Sequence, residues 1–340
     1  MTPHRPIEIV GGGLAGLSLG LALRRAGVDV TLFEAGSYPR HRVCGEFITG
    51  LPDRTRARLG LDPFLADATA AREVAWFFRE KLSRLQTLPT PAPALSRHAL
   101  DARLAAAFVA AGGGLKTRIR FASTTDAPGR IFATGRRRAA SLWIGLKFHA
   151  RDLSLARDLE VHLGDQAYVG LAKIEDQRVN VCGLFRRREL CAKGPDLLLG
   201  YLAAAGLPTL ARRIRSADID ASSFCAVAAV DFDRRVMPSS QLRLGDTCAM
   251  IPPFTGHGMA MAFQSAELAL DPLLAYARGQ AEWPATRRAI HDLLHRRFRL
   301  RLGSAGALHS FLLQPSLQRC FAALNRPRLL PLRPLYAALH

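Results

Sequence analysis

An α/β fold, in which a parallel-sheet domain is split by a β-rich insertion and followed by a helical C-terminus, is predicted by three features of the sequence. A short apolar strand, Ile7-Glu8-Ile9-Val10, runs through Gly11-Gly12-Gly13-Leu14-Ala15-Gly16 into an Ala/Leu-rich helix that stops at Gly27. Between Leu142 and Val230 the helical pattern gives way to short apolar strands separated by turn signals such as Gly164-Asp165 and Glu175-Asp176. From Trp283 onward the pattern is helical again and dense in Arg, Leu and Phe, with Pro315, Pro327, Pro331 and Pro334 interrupting the end.

The first feature carries the most chemistry. Gly11, Gly13 and Gly16 match G-x-G-x-x-G, where the first glycine permits a tight turn, the second lets backbone approach a pyrophosphate and the third lets helix pack on strand. The helix start, with Leu14 and Ala15 in its first turn, faces the phosphates with unpaired N–H groups. A second apolar strand, Val28 to Phe33, ends in Glu34, the acid expected to accept hydrogen bonds from ribose hydroxyls. Strand, glycine turn, helix and terminal acid together predict a Rossmann-type dinucleotide domain, for FAD or NAD rather than a 2′-phosphorylated nucleotide.

Downstream of Glu34, Tyr38-Pro39-Arg40-His41-Arg42-Val43-Cys44-Gly45-Glu46-Phe47 resembles the flavin-proximal segment of the FAD superfamily that includes geranylgeranyl reductases and p-hydroxybenzoate hydroxylase. Arg243-Leu244-Gly245-Asp246 and Pro252-Pro253-Phe254-Thr255-Gly256-His257-Gly258-Met259, followed by a helix from Ala260 to Leu270, resemble that superfamily's second FAD signature. Asp246 could accept hydrogen bonds from a sugar alcohol. The loop through Pro253, Gly256, Gly258 and Met259 presents N–H groups at a helix start, where they would stabilise negative charge on a reduced flavin. The resemblance implies FAD as cofactor, held also by Arg42, Arg97 and Gly135, and places Cys44 beside the isoalloxazine as a catalytic residue, with Glu46 or His257 as alternative acids. One departure stands out: the superfamily's aromatic hydroxylases carry Asp-Gly where this chain has Thr134-Gly135. The external electron donor, NAD(P)H or a reductase, is left open.

Taken in order, Ile48 to Leu65 carries short helical periodicity broken by Pro52, Gly60 and Pro63, and Val74 to Phe78 reads as a strand of a second sheet. Leu88 to Pro93 reads as an extended connector because each proline biases its predecessor to extended backbone. Ser96, with the acid Asp101 in the early turns, opens a helix through Ala111 that Gly112-Gly113-Gly114 ends. Strands are expected at Trp143 to Phe148, Asp158 to Leu163, Ala167 to Ile174 and Arg178 to Phe185, helices at Pro195 to Ala205 and Pro208 to Arg215, and a returning segment from Phe224 to Phe232. The expected division is a discontinuous FAD-binding domain (1–65, 92–140, 231–282), an antiparallel β substrate domain (66–91, 141–230) and a helical segment (283–340). Trp76, Trp143, Tyr168 and Phe254 are candidate pocket aromatics.

The net charge is +19 and the basic residues are mostly arginine, scattered in short runs such as Arg136-Arg137-Arg138 and Arg186-Arg187-Arg188. No aromatic interleaving or nucleic-acid-binding motif accompanies them, so nucleic acid is not the expected partner. An anionic membrane surface or an acidic carrier would suit the charge and the Arg/Leu-rich tail. Cys44, Cys182, Cys191, Cys225, Cys248 and Cys320 lack ligand or disulfide spacing, so neither a metal site nor a disulfide framework is expected. No run approaches the roughly 18 apolar residues of a membrane span, and a cytoplasmic setting is expected. The expected activity is FAD-dependent oxidoreduction of a hydrophobic isoprenoid or aromatic polyketide-like molecule, leaning to geranylgeranyl-reductase-like C=C reduction by hydride from flavin N5. The alternative is aromatic hydroxylation through a C4a-hydroperoxide. A flavoprotein without catalytic activity is a remote third reading, and flavin halogenation is disfavoured because the Trp-x-Trp-x-Ile-Pro signature is absent and Lys81 lacks supporting neighbours.

Overall fold

The computed structural model describes residues 4–121, 126–136, 141–228 and 240–313. The expectations for Cys320, for the prolines from Pro315 onward and for the end of the Phe224 to Phe232 segment fall outside them. The glycine motif sits where it was expected, between β1 (Ile7–Val10) and α1 (Leu14–Arg25), with β2 (Val30–Phe33) alongside. Two short helices follow, α2 (Asp53–Leu59) and α3 (Asp62–Leu65). The chain then leaves for a second sheet through β3 (Thr69–Phe78) and β4 (Lys81–Ala94) and returns in α4 (Arg97–Ala110), β5 (Gly114–Lys116) and β6 (Arg130–Phe132). Ser96 caps α4, its hydroxyl accepting from the Ala99 N–H at 3.1 Å and so satisfying one of the helix's orphan donors.

The second passage through the other sheet comprises β7 (Trp143–Arg151), β8 (Leu159–Gly164), β9 (Ala167–Lys173), β10 (Val179–Arg186), α5 (Pro195–Ala204), α6 (Pro208–Arg215) and β11 (Asp218–Ala228). β12 (Leu242–Arg243), α7 (Gly258–Ala277) and α8 (Trp283–Leu313) complete the chain. The first sheet is parallel throughout, in the order β12-β6-β1-β2-β5. The chain steps from β1 to β2 on one side and to β6 on the other, so the strand order reverses at β1 and opens a crevice beyond its carboxyl end.

The second sheet has seven strands in the order β11-β7-β10-β9-β8-β3-β4. It was expected to be antiparallel, and all its pairs are except β3 with β8, which run parallel. Between those two strands the chain crosses back through the first sheet, a connection long enough to bring the second strand in with the same direction. Pro89, Pro91 and Pro93 lie within β4 rather than in a connector. The sheet edge tolerates them because missing N–H groups there break no inner pairing.

One face of this sheet, with Phe148, Val169, Leu171 and Val181, is sealed by Leu198, Leu202, Leu210 and Ile214 of α5 and α6. The other face looks toward the first domain. There Tyr168, Leu163 and Leu184 pack with Trp143, Met250 and Phe254, and Val74, Leu159 and Ala172 pack with Phe47 and Trp76. The large core lies in the first domain, where α1 packs against α4 and α7, and α7 against α8. Strand side chains alternate faces, so Gly145, Lys147 and His149 of β7 share the domain-facing side with Cys182 and Asn180 of β10.

Candidate nucleotide cleft and active site

Two backbone approaches build the crevice beyond β1. Gly11 has φ +113°, and a Cβ there would stand 2.2 Å from the Ala133 carbonyl oxygen; one on Gly16 would stand 2.1 Å from the Gly11 carbonyl oxygen. These glycines are required by packing, the first against the loop after β6 and the third by helix against strand. Gly13 differs. Among the described residues a Cβ there would meet only the Arg97 guanidinium, 4.0 Å away, and one on Gly135 or Gly258 would meet nothing within 4 Å.

Around this opening the structure gathers the sequence-predicted residues. Neither α1, entered from Gly13, nor α7, entered from His257, has a side-chain cap, and neither has an acid in its first turn, so both present uncompensated N–H groups. Leu14, Ala15 and Met259 are buried among the core side chains, which leaves only their backbone to a ligand. Asp246 stands in the short 3₁₀ turn Gly245–Thr247, and the Thr247 hydroxyl ties that turn to the Gly135 carbonyl at 3.0 Å. The Asp246 carboxylate is accessible from the cleft yet enclosed by protein. That enclosure raises its pKa, against the opposing charges of Arg97 and Arg136. Pro253 is exposed in the next 3₁₀ turn, Pro253–Thr255, and a Cβ on Gly256 would strike the Phe47 ring at 2.4 Å.

Arg97 and Arg42 are held in place by an aspartate the sequence reading took only for a helix-start acid. Asp101, fully buried, accepts from Arg97 Nε at 2.7 Å and Nη2 at 2.9 Å, and from Arg42 Nε at 2.8 Å. The signal was present: Arg97 and Asp101 are four apart on one helix and so share a face. Arg42 also reaches Glu34 at 3.6 Å, and Arg40 reaches it at 3.0 Å. Glu34 accepts from the N–H groups of Gly12 and Gly36, both at 2.8 Å. Burial works against its charge, but these bonds and the two guanidiniums hold its pKa below the ordinary value. The Tyr38 hydroxyl covers the turn, donating to the Gly12 carbonyl at 2.5 Å.

Of the three candidate catalytic groups, Cys44 lies closest to this network. Burial pushes its thiol pKa up, with Arg97 opposing, and its sulfur accepts from the Glu46 N–H at 3.5 Å. Glu46 is fully buried. It accepts from His149 Nε2 at 2.6 Å and from the Arg97 N–H at 3.0 Å, and pairs with Lys147 Nζ at 3.4 Å. Burial alone would raise its pKa, but the His149 bond and the Lys147 charge lower it, and these contacts anchor the 38–46 segment to the second sheet. His257 is buried at the start of α7, with Nδ1 3.4 Å from the Thr49 hydroxyl.

Of the pocket aromatics, Trp143, Tyr168 and Phe254 come together, and Trp76 stands apart beside Phe47. The sequence reading missed the fourth member: His309 of α8 stacks on Phe254 with centroids 6.2 Å apart and meets the edges of Trp143 and Tyr168. Lys81, considered for halogenation, is exposed at the start of β4, opposite Phe78 of β3.

Comparison with known proteins agrees with this architecture. The profile of the NAD(P)-binding Rossmann-like domain matches residues 9–61. A search of curated protein sequences finds no match. Among solved structures, HpxO of Klebsiella pneumoniae, complexed with FAD and uric acid, superposes with TM-score 0.76 at 16% identity over 98% of this chain and 96% of its own. The flavin-dependent brominase Bmp2 gives 0.75 at 17% identity over 99% and 93%. PqsL of Pseudomonas aeruginosa, in complex with 2-aminobenzoylacetate, gives 0.73 at 16% identity over 94% and 99%. The chain has the fold of these flavoproteins. The match takes in both sheets, and the parallel sheet, the mixed sheet and the C-terminal helices are common to the group. No helix among the described residues is long and apolar enough to cross a membrane.

Proposed function

We propose that this chain is an FAD-dependent monooxygenase acting on a hydrophobic, aromatic small molecule. The observation that carries the reading is the cleft itself, in which Gly13, Gly135 and Gly258 leave open space between two uncapped helix starts. FAD fits that donor set. Gly13 and the first turn of α1 would take the pyrophosphate, with Arg97 offsetting its charge. Asp246 would accept from the hydroxyls of the sugar-alcohol chain, and the start of α7 would face the isoalloxazine edge that becomes negative on reduction. Glu34 would receive the adenosine ribose on Oε2, where the Gly12 N–H leaves a lone pair, while Gly36 and Arg40 hold Oε1. When bound, FAD supplies two-electron redox chemistry and reaction with O2.

The protein's own part is to bind, orient and keep water away. The wall of Trp143, Tyr168, Phe254 and His309 suits a planar apolar ring, which offset stacking and area burial would hold. Glu46, clamped by Lys147 and His149, fixes the 38–46 segment that carries Cys44 against the second sheet. The Thr134-Gly135 departure and the presence of Cys44 favoured C=C reduction from the sequence. The full-length likeness to PqsL, described as a probable FAD-dependent monooxygenase, supports oxygenation over it.

Two measurements test the reading. Purified protein is expected to be yellow and to release FAD, not FMN or NAD, on denaturation. Photoreduced enzyme mixed with candidate aromatic substrates is then expected to give product only when O2 is admitted, with the product gaining one oxygen atom. Product formed without oxygen and heavier by two hydrogens would reinstate the reductase.

A further inference from the structure

We propose that His41, His149 and Asp220 form a binding site for one divalent cation of borderline softness, with Zn2+ as the test ion. One ring nitrogen from each histidine and one carboxylate oxygen of Asp220 lie within 4.8 Å of one another. The three come from separate parts of the fold: the 38–46 segment, β7, and β11 where its register slips against β7 between Asp220 and Cys225. Asp220 pairs directly with His149 just before that slip, so the two side chains stand on the same face of the sheet, the one toward the first domain. Sequence spacing could not reveal this set, because no two of its members are near one another in the chain.

The decisive residue is His149. It is fully buried, and its Nε2 lies 2.6 Å from a Glu46 oxygen, a contact that requires the proton on Nε2. Its Nδ1 then carries a lone pair, and that atom is buried with no hydrogen-bond partner. A histidine whose one nitrogen donates to a carboxylate while the other offers a lone pair is arranged as metal-binding histidines are. An unsatisfied buried nitrogen also needs a physical reason, which an ion would provide.

Asp220 is prepared in a similar way. The Ser222 N–H and hydroxyl both donate to Oδ1, which leaves Oδ2 for a ligand. The Ser223 hydroxyl accepts from the His149 N–H at 2.7 Å and donates to the Asp220 carbonyl at 2.6 Å, fixing the bulge against β7. Ligand atoms about 2.0–2.2 Å from a shared zinc ion stand roughly 3.5 Å apart. Closing from 4.8 Å therefore requires about 1 Å of movement, within reach of the half-buried His41 and Asp220. Lys147 opposes the ion: its ammonium contacts His41 Nδ1 at 3.3 Å as well as Glu46 at 3.4 Å. In the ion-bound state it rests on Glu46 alone. Two carboxylates, Glu46 and Asp220, outweigh that one cation. Three protein ligands leave a fourth position for water.

The test uses the full chain with its bound nucleotide, stripped with EDTA and titrated with ZnCl2 by calorimetry and thermal melting. One equivalent of Zn2+ per chain is expected, with a rise in melting temperature because the ion joins the 38–46 segment to two strands of the second sheet. His41→Ala and Asp220→Asn should each weaken binding by about 100-fold while melting as wild type does in EDTA. Anomalous scattering at the zinc edge from wild-type crystals locates the ion even if a variant fails to fold. Binding that survives both substitutions, an anomalous peak elsewhere such as at the exposed Cys191, or no binding by the wild type would each overturn the proposal. None of these readouts depends on catalysis, so the inference stands or falls apart from the monooxygenase reading.

Discussion

Gly13→Ala should separate cofactor binding from folding. At Gly11 and Gly16 an added Cβ would run into backbone oxygen at 2.2 and 2.1 Å, so substitution there damages the fold itself. At Gly13 the only neighbour is the tip of Arg97, 4.0 Å away, and the backbone is extended at φ −88°, ψ −172°, which any residue adopts. The cost to the nucleotide-free protein is that of alanine at a helix N-cap, about 0.5–1 kcal/mol. The cost to binding is larger if a pyrophosphate lies against this glycine, because the methyl group holds an anionic oxygen off the helix N–H groups. Losing one charge-assisted hydrogen bond of about 1.5–3 kcal/mol weakens FAD affinity about 10- to 100-fold. Urea unfolding of the stripped protein gives the first quantity and fluorescence titration with FAD gives the second. Wild-type FAD affinity in Gly13→Ala would refute the placement of the pyrophosphate. A collapse in stability would refute the open space above Gly13.

Three further outcomes follow from the ion-pair network and the surface. Asp101→Asn removes the carboxylate on which the partly buried Arg42 and Arg97 both rest, and should destabilise the protein by about 3–5 kcal/mol; a loss under about 1 kcal/mol in denaturant melts would show that the pairs are replaceable by water. Glu160 is buried, which raises its pKa, but the bonds from His162, Arg213 and the Ala156 N–H bring it from 4.5 down to about 2. A depressed acid stabilises fully above its unfolded value and loses that contribution as pH falls, so about 3 kcal/mol should vanish between pH 4.5 and 2. Glu160→Gln should flatten that arm of the pH–stability curve, and an unchanged arm would assign it to other acids. The charge of +19 and the arginine-rich α8, with Leu300 exposed, lead us to expect binding to anionic but not neutral vesicles, reversed by salt, which flotation at two ionic strengths would check.

Much of the nucleotide half was legible in the sequence because its determinants are local. The glycine turn and the N-cap at Ser96, like the proline-started α5 and α6 of the other domain, each depend on residues within a few positions of one another. Their boundaries moved by only a few residues in the structure, apart from α7, which continues through Pro272 to Ala277. What failed was non-local. The prolines of β4 suggested a connector, and only the strand's place at the sheet edge makes them compatible with pairing. The parallel β3–β8 pair depends on the chain's return through the first sheet, which no window of sequence contains.

The same division runs through the site. The sequence determined the residue types: a turn that only glycine can make at Gly11, helix starts that offer N–H groups, an acid at Glu34, and a cysteine and a glutamate two residues apart at Cys44 and Glu46. It could not assign protonation or partners, because those depend on burial and on charges brought from distant strands. Glu46 read as a candidate acid, and tertiary packing sets it between Lys147 and His149, which lower its pKa. Asp101 read as a helix-start residue, yet it carries two arginines. His149, an alternating polar residue in an apolar strand, became significant only when folding set one of its nitrogens on Glu46 and brought His41 and Asp220 beside it. Local conformation is decided by short-range sterics and hydrogen bonding. Electrostatics inside a protein is decided by which groups lose water together, and only the tertiary structure decides that.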